Sequence, residues 1–202
     1  MTDVQNTPGA IFYFDLGSPF AYLAAERLEQ ILPASAIWQP VSLGALFKAT
    51  GRSSWALGGP LARESGMAEV ERRARSYGLP PIRWPDPWPS NYLFAMRAAT
   101  YAFQLGRGRE LTLAAFRSAF RDGRDLGLPE QVVRVAAEVG LDERAIADAT
   151  RDPSVKLALR TATEAAYERG VFGVPTVAVG DELFWGDDRL PDAAAACART
   201  SG

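Results

Sequence analysis

The sequence predicts an α/β protein in which two short strand-containing units are separated by a long helical stretch. Strand signals lie near the start of the chain, between residues 11 and 43, and near its end, between residues 176 and 185. They nearly vanish between Gly44 and Gly170. Apolar residues make up 48% of the 202 residues, ample for a core. The predicted order is therefore βαβ, then helices, then ββα.

The first unit begins with Ile11 to Leu16, a continuous apolar run rich in aromatic residues. Such a run is typical of a strand buried on both faces. Apolar residues then recur at helical spacing up to Pro33 and predict a single helix (Phe20, Leu23, Ala24, Leu28, Ile31). Trp38 to Leu43 follows as a second strand, which we expect to be parallel to the first because a βαβ crossover joins parallel strands.

The middle of the chain is predicted to be a helical insertion. Glu69 has arginines three and four residues later, the spacing of a solvated helix face. Asp152-Pro153 has the sequence of a helix start with proline in its first turn. Two apolar stripes at helical spacing indicate further helices (Val132, Val135, Ala136, Val139 and Val155, Leu159, Ala162, Ala166).

Strands return at the end of the chain. Thr176 to Val179 and Glu182 to Trp185 flank Gly180-Asp181, a two-residue hairpin signal. Asp187, Asp188 and Pro191 then open an alanine-rich helix. With Val174-Pro175 leading into the hairpin, the order is the layout of a thioredoxin-like domain interrupted by helices. We expect the thioredoxin-like domain at residues 1–50 and 170–202, and the helical insertion domain at 51–169.

Composition excludes several classes of function. The net charge of −2 gives no basic field for nucleic acid or anionic lipid, so neither is an expected partner. No apolar run approaches the ~20 residues of a membrane span, and the start MTDVQNTPGA lacks the features of a secretion signal. The single cysteine, Cys197, rules out an internal disulfide and fits a reducing cytoplasm. We expect a cytoplasmic protein.

The chain has no histidine, which limits its chemistry further. Ser-His-Asp catalysis, histidine bases and nearly every zinc site are excluded, so no metal is expected. Dithiol redox chemistry needs Cys-x-x-Cys where the first strand meets its helix. The four residues at that junction are Ser18-Pro19-Phe20-Ala21. Catalysis is left to carboxylates, hydroxyls, lysine or arginine, backbone dipoles, or a reagent that the protein binds.

Three stretches resemble the 2-hydroxychromene-2-carboxylate isomerases and the related kappa-class glutathione transferases, which share a DsbA-type thioredoxin-like fold. They are FYFDLGSPFAYLA from residue 12, GALFKATG from residue 44 and GVFGVPTVAVGDELFWGDDRL from residue 170. The resemblance implies a homodimer in which Ser18, in place of a catalytic cysteine, holds the thiol of bound glutathione. A hydroxyl at a helix N-terminus stabilises a thiolate, which suits a thiol of pKa ~8.5. Alternatively, Ser18 simply caps the helix, and both roles are compatible.

The resemblance also implies the other contacts of glutathione. Val174-Pro175 matches the family's cis-proline loop, whose main chain pairs with the cysteinyl backbone; an ordinary trans turn is the alternative. Trp185, Gly186, Asp187 and Asp188 match the segment that contacts the γ-glutamyl end. The alternative for either aspartate is a helix N-cap.

For the substrate, the resemblance implies a small aromatic carboxylate. Lys48 matches a lysine near the substrate carboxylate, although a solvated surface lysine is the alternative. Trp88, in the proline-rich stretch LPPIRWPDPWPSNY, falls close to a substrate-facing aromatic; its alternative is packing on the core. Around Arg52, which we place at the substrate, the sequence GRSS lacks the asparagine that the isomerases carry there. This departure leaves the natural substrate open.

The predicted activity is a thiol-dependent isomerisation of 2-hydroxychromene-2-carboxylate or a similar compound in aromatic catabolism. The thiol is glutathione or another low-molecular-weight thiol. The arginine- and alanine-rich composition suggests a GC-rich genome, and some lineages with such genomes use small thiols other than glutathione. Two alternatives stay open. One is a kappa-like transferase that conjugates the thiol to electrophiles, and the other is a redox-inactive binding module that uses the cis-proline groove.

Overall fold

A four-stranded mixed sheet brings the early and late parts of the chain together. The computed structural model describes residues 9–200, so the predictions for the N-terminal sequence and for the outer ends of the domains lie partly outside the described residues. The strand order is β2-β1-β3-β4. β1 is parallel to β2 and antiparallel to β3, and β3 pairs with β4 as a hairpin. The strands are β1 Ile11–Phe14, β2 Ile37–Pro40, β3 Thr176–Val179 and β4 Glu182–Trp185.

Most of the remaining described residues are helical. The helices are α1 Pro19–Ala25, α2 Leu28–Ile31, α3 Leu43–Thr50, α4 Pro60–Ser76, α5 Leu93–Gln104, α6 Gly108–Phe120, α7 Pro129–Glu138, α8 Glu143–Ala149, α9 Pro153–Glu168 and α10 Leu190–Thr200. Short 3₁₀ turns precede α4 and α10. No helix between residues 9 and 200 combines the length and the apolar character that a membrane crossing requires.

The thioredoxin-like order is confirmed, and the bounds of the terminal hairpin agree with the prediction. Two details near the start were wrong. The predicted single helix is divided into α1 and α2: the Arg27 N–H donates to the Ala24 carbonyl, three residues back, at 3.0 Å, so the α-helical hydrogen-bond pattern is interrupted there. The Arg27 side chain stacks over Tyr77, 3.4 Å from the ring centre, and donates to the Asp187 carbonyl. The second strand ends at Pro40, because Ser42 begins α3 by accepting a hydrogen bond from the Ala45 N–H at 3.4 Å.

The predicted insertion is helical, and its last helix lies against the sheet side of the molecule. The apolar stripes of α7 and α9 face the core, and α9 begins at Asp152, whose side chain accepts the Ser154 N–H at 2.7 Å. The Ser42 N–H donates to Thr163 Oγ1 of α9 at 3.0 Å. The insertion therefore meets the thioredoxin-like part through direct contacts, and the division at residues 50 and 170 stays a prediction.

One apolar core joins the sheet to the inserted helices. Phe12 and Phe14 of β1 are fully buried and pack against Trp38 of β2. The Phe14 ring also lies 6.1 Å from the ring of Phe116 in α6. Burial of each such side chain stabilises the fold by about 1.5–3 kcal/mol. This shared core fixes the helices relative to the carboxyl end of β1, where the site lies.

Candidate active site

A cavity of about 720 Å³ opens at the carboxyl end of β1. Its wall is built from the β1–α1 junction, the start of α3, residues 52–57, residues 88–96 and residues 172–174 with Trp185. The wall is mostly apolar and aromatic, with a few polar groups. This volume and composition are typical of a site for a small organic molecule.

Ser18 lies in this wall at the start of α1 and is buried. Its Oγ accepts the Ala21 N–H at 3.2 Å, so the residue caps the helix. The same hydroxyl donates to the Val174 carbonyl at 3.4 Å. This distance is long for an O–H···O bond, which is ordinarily about 2.5–3.0 Å. Ser18 therefore caps the helix and still has a weakly held proton to donate.

The loop opposite Ser18 is formed by Val174 and Pro175, and the peptide bond between them is cis. Val174 lines the cavity. The Gly186 N–H donates to the Pro175 carbonyl at 2.9 Å and ties the loop to the end of β4. Gly186 has a φ of 118°, which favours glycine at this position. Trp185 also lines the cavity, is half exposed, and packs on the Phe172 ring at 4.9 Å.

The two aspartates after β4 differ from each other, and neither lines the cavity. Asp187 is 1% exposed and accepts hydrogen bonds from Tyr77 Oη and from Arg73, both at 2.8 Å. Burial raises the pKa of Asp187, against the contacts with Tyr77 and Arg73, which lower it. The side chain of Asp188 is half exposed, and its carboxylate is 3.2 Å from Arg73. Asp187 thus joins the loop to α4, and Asp188 is the aspartate that faces solvent.

Of the two predicted substrate cations, the cavity wall contains Arg52 and not Lys48. Lys48 is exposed in the last turn of α3, one turn beyond Gly44 on the same helix face. Arg52 stacks on Phe172, with its guanidinium carbon 4.0 Å from the ring centre. In the described part of the chain, no carboxylate lies within ion-pair distance of Arg52. The wall therefore has an unneutralised cation.

Trp88 packs in the core and also lines the cavity, and its contact with substrate stays a prediction. It is 3% exposed and packs between Trp84 and Trp55, with ring centres 4.7 and 5.3 Å away. It also lines the cavity. The proline-rich stretch therefore places one aromatic side chain in both the core and the wall.

Two titratable residues of the wall, Asp15 and Tyr92, were not among the site residues predicted from the sequence. Asp15 is buried, and its two carboxylate oxygens accept the N–H groups of Gly17 and Leu43, each at 2.8 Å. Burial raises the pKa of Asp15 to about 6, against those two hydrogen bonds, which lower it. The Tyr92 ring lies over Gly17, where an added Cβ would be 2.8 Å from the ring. For Asp15, the sequence offered one signal, a charged residue at the end of a buried strand. For Tyr92, no local sequence pattern indicated a place in the site.

The site has no arrangement suited to a metal ion in the described residues, where no three histidine, cysteine, aspartate or glutamate side chains come together. Its polar side chains include the carboxylate of Asp15, the guanidinium of Arg52, the phenol of Tyr92, the amide of Asn91 and the hydroxyls of several serines, Ser18 among them. The arrangement can bind an organic anion with an aromatic body and can stabilise a negative charge near Ser18.

Comparison with known proteins defines first the class of the protein. The family model of the DSBA-like thioredoxin domain matches residues 10–198. A probable DsbA oxidoreductase from Streptomyces coelicolor superposes with a TM-score of 0.78 over 96% of this chain and 89% of its own, at 20% identity, which supports the fold alone. The chain is a DSBA-like thioredoxin-domain protein.

More similar relatives narrow this class. A 2-hydroxychromene-2-carboxylate isomerase from Sphingobium xenophagum is 32% identical, covering 89% of this chain and 92% of the relative. One from Pseudomonas putida is 30% identical, covering 89% of each. A solved structure of 2-hydroxychromene-2-carboxylate isomerase has a TM-score of 0.82 and 26% identity over 95% of both chains. The chain belongs to the family of these isomerases, and it is an enzyme of the isomerase class.

Proposed function

We propose that this enzyme isomerises 2-hydroxychromene-2-carboxylate or a similar small aromatic carboxylate with the help of glutathione or another low-molecular-weight thiol. The observation that carries the proposal is the Ser18 hydroxyl, held at the start of α1 and facing the Val174 carbonyl within the cavity. Its position is that of the catalytic thiol in a redox-active relative of this fold, but its chemistry requires the sulfur to come from a bound molecule.

The site fits a thiol on the evidence of its own contacts. The hydrogen bond from the Ser18 hydroxyl to the Val174 carbonyl is long, at 3.4 Å, and therefore weak. Turning the hydroxyl proton toward a sulfur anion loses only this weak bond. The N-terminal end of α1 adds a favourable dipole. When bound, the thiol supplies a nucleophile that adds reversibly to a conjugated double bond and so permits rotation about it. In this proposal Ser18 keeps that sulfur ionised, and the main chain of Val174 orients the peptide part of the thiol.

Arg52 is the residue that we assign to the substrate carboxylate. It is the cation of the cavity wall, and its stacking on Phe172 holds the guanidinium in place. A guanidinium binds a carboxylate with two parallel hydrogen bonds. Lys48 is exposed one turn along α3 and does not line the cavity, and its contact with the carboxylate stays a prediction.

The aromatic wall accounts for the remainder of the substrate. Trp88 and Trp55 are in mutual contact, and both line the cavity. Flat aromatic substrates pack on such rings at centroid distances of about 4.5–7 Å. These side chains exclude water above the substrate ring while Arg52 fixes its charged end.

Turnover of the chromene carboxylate by the purified enzyme, with and without glutathione, tests the proposal directly. We expect thiol-dependent formation of trans-o-hydroxybenzylidenepyruvate with no loss of free thiol, because isomerisation does not consume it. Consumption of thiol would indicate the transferase alternative instead. Absence of turnover with glutathione and with a panel of other small thiols would exclude the proposed reaction. The expected homodimer and the cytoplasmic location stay predictions, and light scattering checks the first.

A further inference from the structure

Few groups in the cavity wall can both give and take a proton near neutral pH. The chain has no histidine. Among the described wall residues, the ionisable side chains are Asp15, Arg52 and Tyr92. Arginine stays protonated at any working pH. Burial raises the pKa of Tyr92 above its ordinary value, so its phenol also keeps its proton. By elimination, a proton transfer in this cavity falls to Asp15.

The geometry of Asp15 suits that task. Asp15 directly follows β1 and lies three residues before Ser18. The Ser18 N–H donates to the Asp15 carbonyl at 3.0 Å. Gly17 and Leu43 hold one carboxylate oxygen each. A carboxylate has about four lone-pair positions, so each oxygen keeps one for a further partner. The side chain is 6% exposed and belongs to the cavity wall. It is a carboxylate fixed in the cavity wall, with hydrogen-bonding capacity left on both oxygens.

We propose that Asp15 is a catalytic residue that transfers the proton needed to open the ring of a cyclic hemiketal substrate. This inference rests on the proposed function. The carboxylate takes the proton of the hemiketal hydroxyl, and the electron pair of that O–H bond forms the new carbonyl. The bond between the hemiketal carbon and the ring oxygen breaks, and its electron pair stays on the ring oxygen. Asp15 then returns the proton to that oxygen, which becomes a phenol. Protons and electrons balance, and no oxidant or reductant takes part.

The surroundings of Asp15 place this exchange in a useful pH range. The charged or titratable side chains that share the wall with it are Arg52, after α3, and Tyr92, before α5. The β1–α1 junction and the start of α3 add only neutral wall residues. Burial raises the pKa of Asp15 to about 6. A group that titrates near the working pH is efficient in both directions of proton transfer.

The test separates ring opening from thiol chemistry. Ring opening of the chromene carboxylate is followed by NMR saturation transfer between the closed and open forms, without any added thiol. We expect Asp15→Asn to slow enzyme-catalysed opening by roughly a hundredfold or more, since general acid–base catalysis contributes about 10²–10⁴-fold. The wild-type rate should change with an inflection near pH 6 that Asp15→Asn lacks. Asp142→Asn, at a helix cap outside the wall, is the control.

Asp15 also anchors the backbone of Gly17 and Leu43, so a variant that loses its fold would imitate a loss of catalysis. Asp15→Ala with added formate or acetate resolves this. Rescue at rates that follow the pKa of the added acid supports proton transfer. Equal rescue by all acids would show that the carboxylate only restores structure. Independently, the ¹³C resonance of the Asp15 carboxyl should shift when a substrate analogue binds, and an unmoved resonance would overturn the proposal.

The outcomes distinguish this inference from the proposed function. A wild-type enzyme that opens the ring but never isomerises with thiol overturns the proposed function and leaves Asp15 in place. A wild-type enzyme that isomerises with thiol, together with Asp15→Asn that opens the ring at the wild-type rate, overturns the role of Asp15 and leaves the proposed function in place.

Discussion

Replacing Ser18 with alanine removes the one hydroxyl on which the proposed thiol site depends. The variant loses the hydroxyl that donates to a bound thiolate. Without a thiol, that hydroxyl donates to the Val174 carbonyl at 3.4 Å. A hydrogen bond to a charged acceptor contributes about 1.5–3 kcal/mol. Since one pKa unit corresponds to about 1.4 kcal/mol, the pKa of the bound thiol should rise by about one to two units. The dipole of α1 remains and keeps part of the stabilisation.

The same substitution also removes the cap of α1, and this second effect can be measured separately. Ser18 Oγ accepts the Ala21 N–H at 3.2 Å, and loss of such a cap costs about 1 kcal/mol. For a chain of this size the melting temperature should fall by about 2–4 °C. Asp142→Ala removes a comparable cap, to the Ala145 N–H at 2.7 Å, outside the cavity wall. It should lower stability without touching the thiol.

The assay is the ultraviolet absorbance of the thiolate, followed against pH for glutathione bound to each variant. Ser18→Thr, which keeps a hydroxyl, should retain a lowered pKa if its rotamer is accommodated. If the bound thiol ionises over the same pH range in Ser18→Ala as in the wild type, the hydroxyl does not stabilise the thiolate. The proposed site would then be wrong, whatever happens to the melting temperature.

Three further predictions concern the wall and the loop beside it. Arg52→Gln should raise KM for the carboxylate substrate roughly five- to tenfold, which corresponds to about 1–1.4 kcal/mol. Lys48→Ala should raise KM less. If steady-state kinetics show the larger increase for Lys48→Ala, then Lys48 and not Arg52 binds the substrate carboxylate. The pKa of Asp15 is raised from 3.8 to about 6 in the folded state, so its contribution to stability is largest below about pH 4 and declines, by about 3 kcal/mol in total, as the pH rises through 6 to about 8. Urea unfolding should show this decline in the wild type, and a wild-type curve parallel to that of Asp15→Asn would contradict it. Tyr77→Phe removes a donor to the buried carboxylate of Asp187 and should lower the free energy of unfolding by about 1.5–3 kcal/mol; an unchanged denaturation midpoint would show that the contact is dispensable.

The elements that the sequence predicted well are those set by local patterns. Gly180-Asp181 between two short apolar runs defines a hairpin without reference to the remainder of the chain, and both strands were found at the predicted residues. The junction at Ser18-Pro19 likewise combines a cap and a proline that suit a helix start. By contrast, no local pattern predicted the break between α1 and α2, which falls at Arg27, a residue whose side chain stacks on the sequence-distant Tyr77.

For the site, the sequence by itself determined which chemistry was available. A chain without histidine, with serine at the helix start and a single cysteine elsewhere, has neither a Ser-His-Asp triad nor a Cys-x-x-Cys pair, and this led to the prediction of a bound thiol. Only the tertiary structure decided which side chains meet. It placed Arg52 in the cavity wall and Lys48 outside it, buried Asp187 against Tyr77, and brought Asp15 and Tyr92 beside Ser18. The reason is physical: local sequence fixes backbone preferences and residue types, whereas burial, and with it the charge state of a carboxylate, depends on elements that pack together from distant parts of the chain.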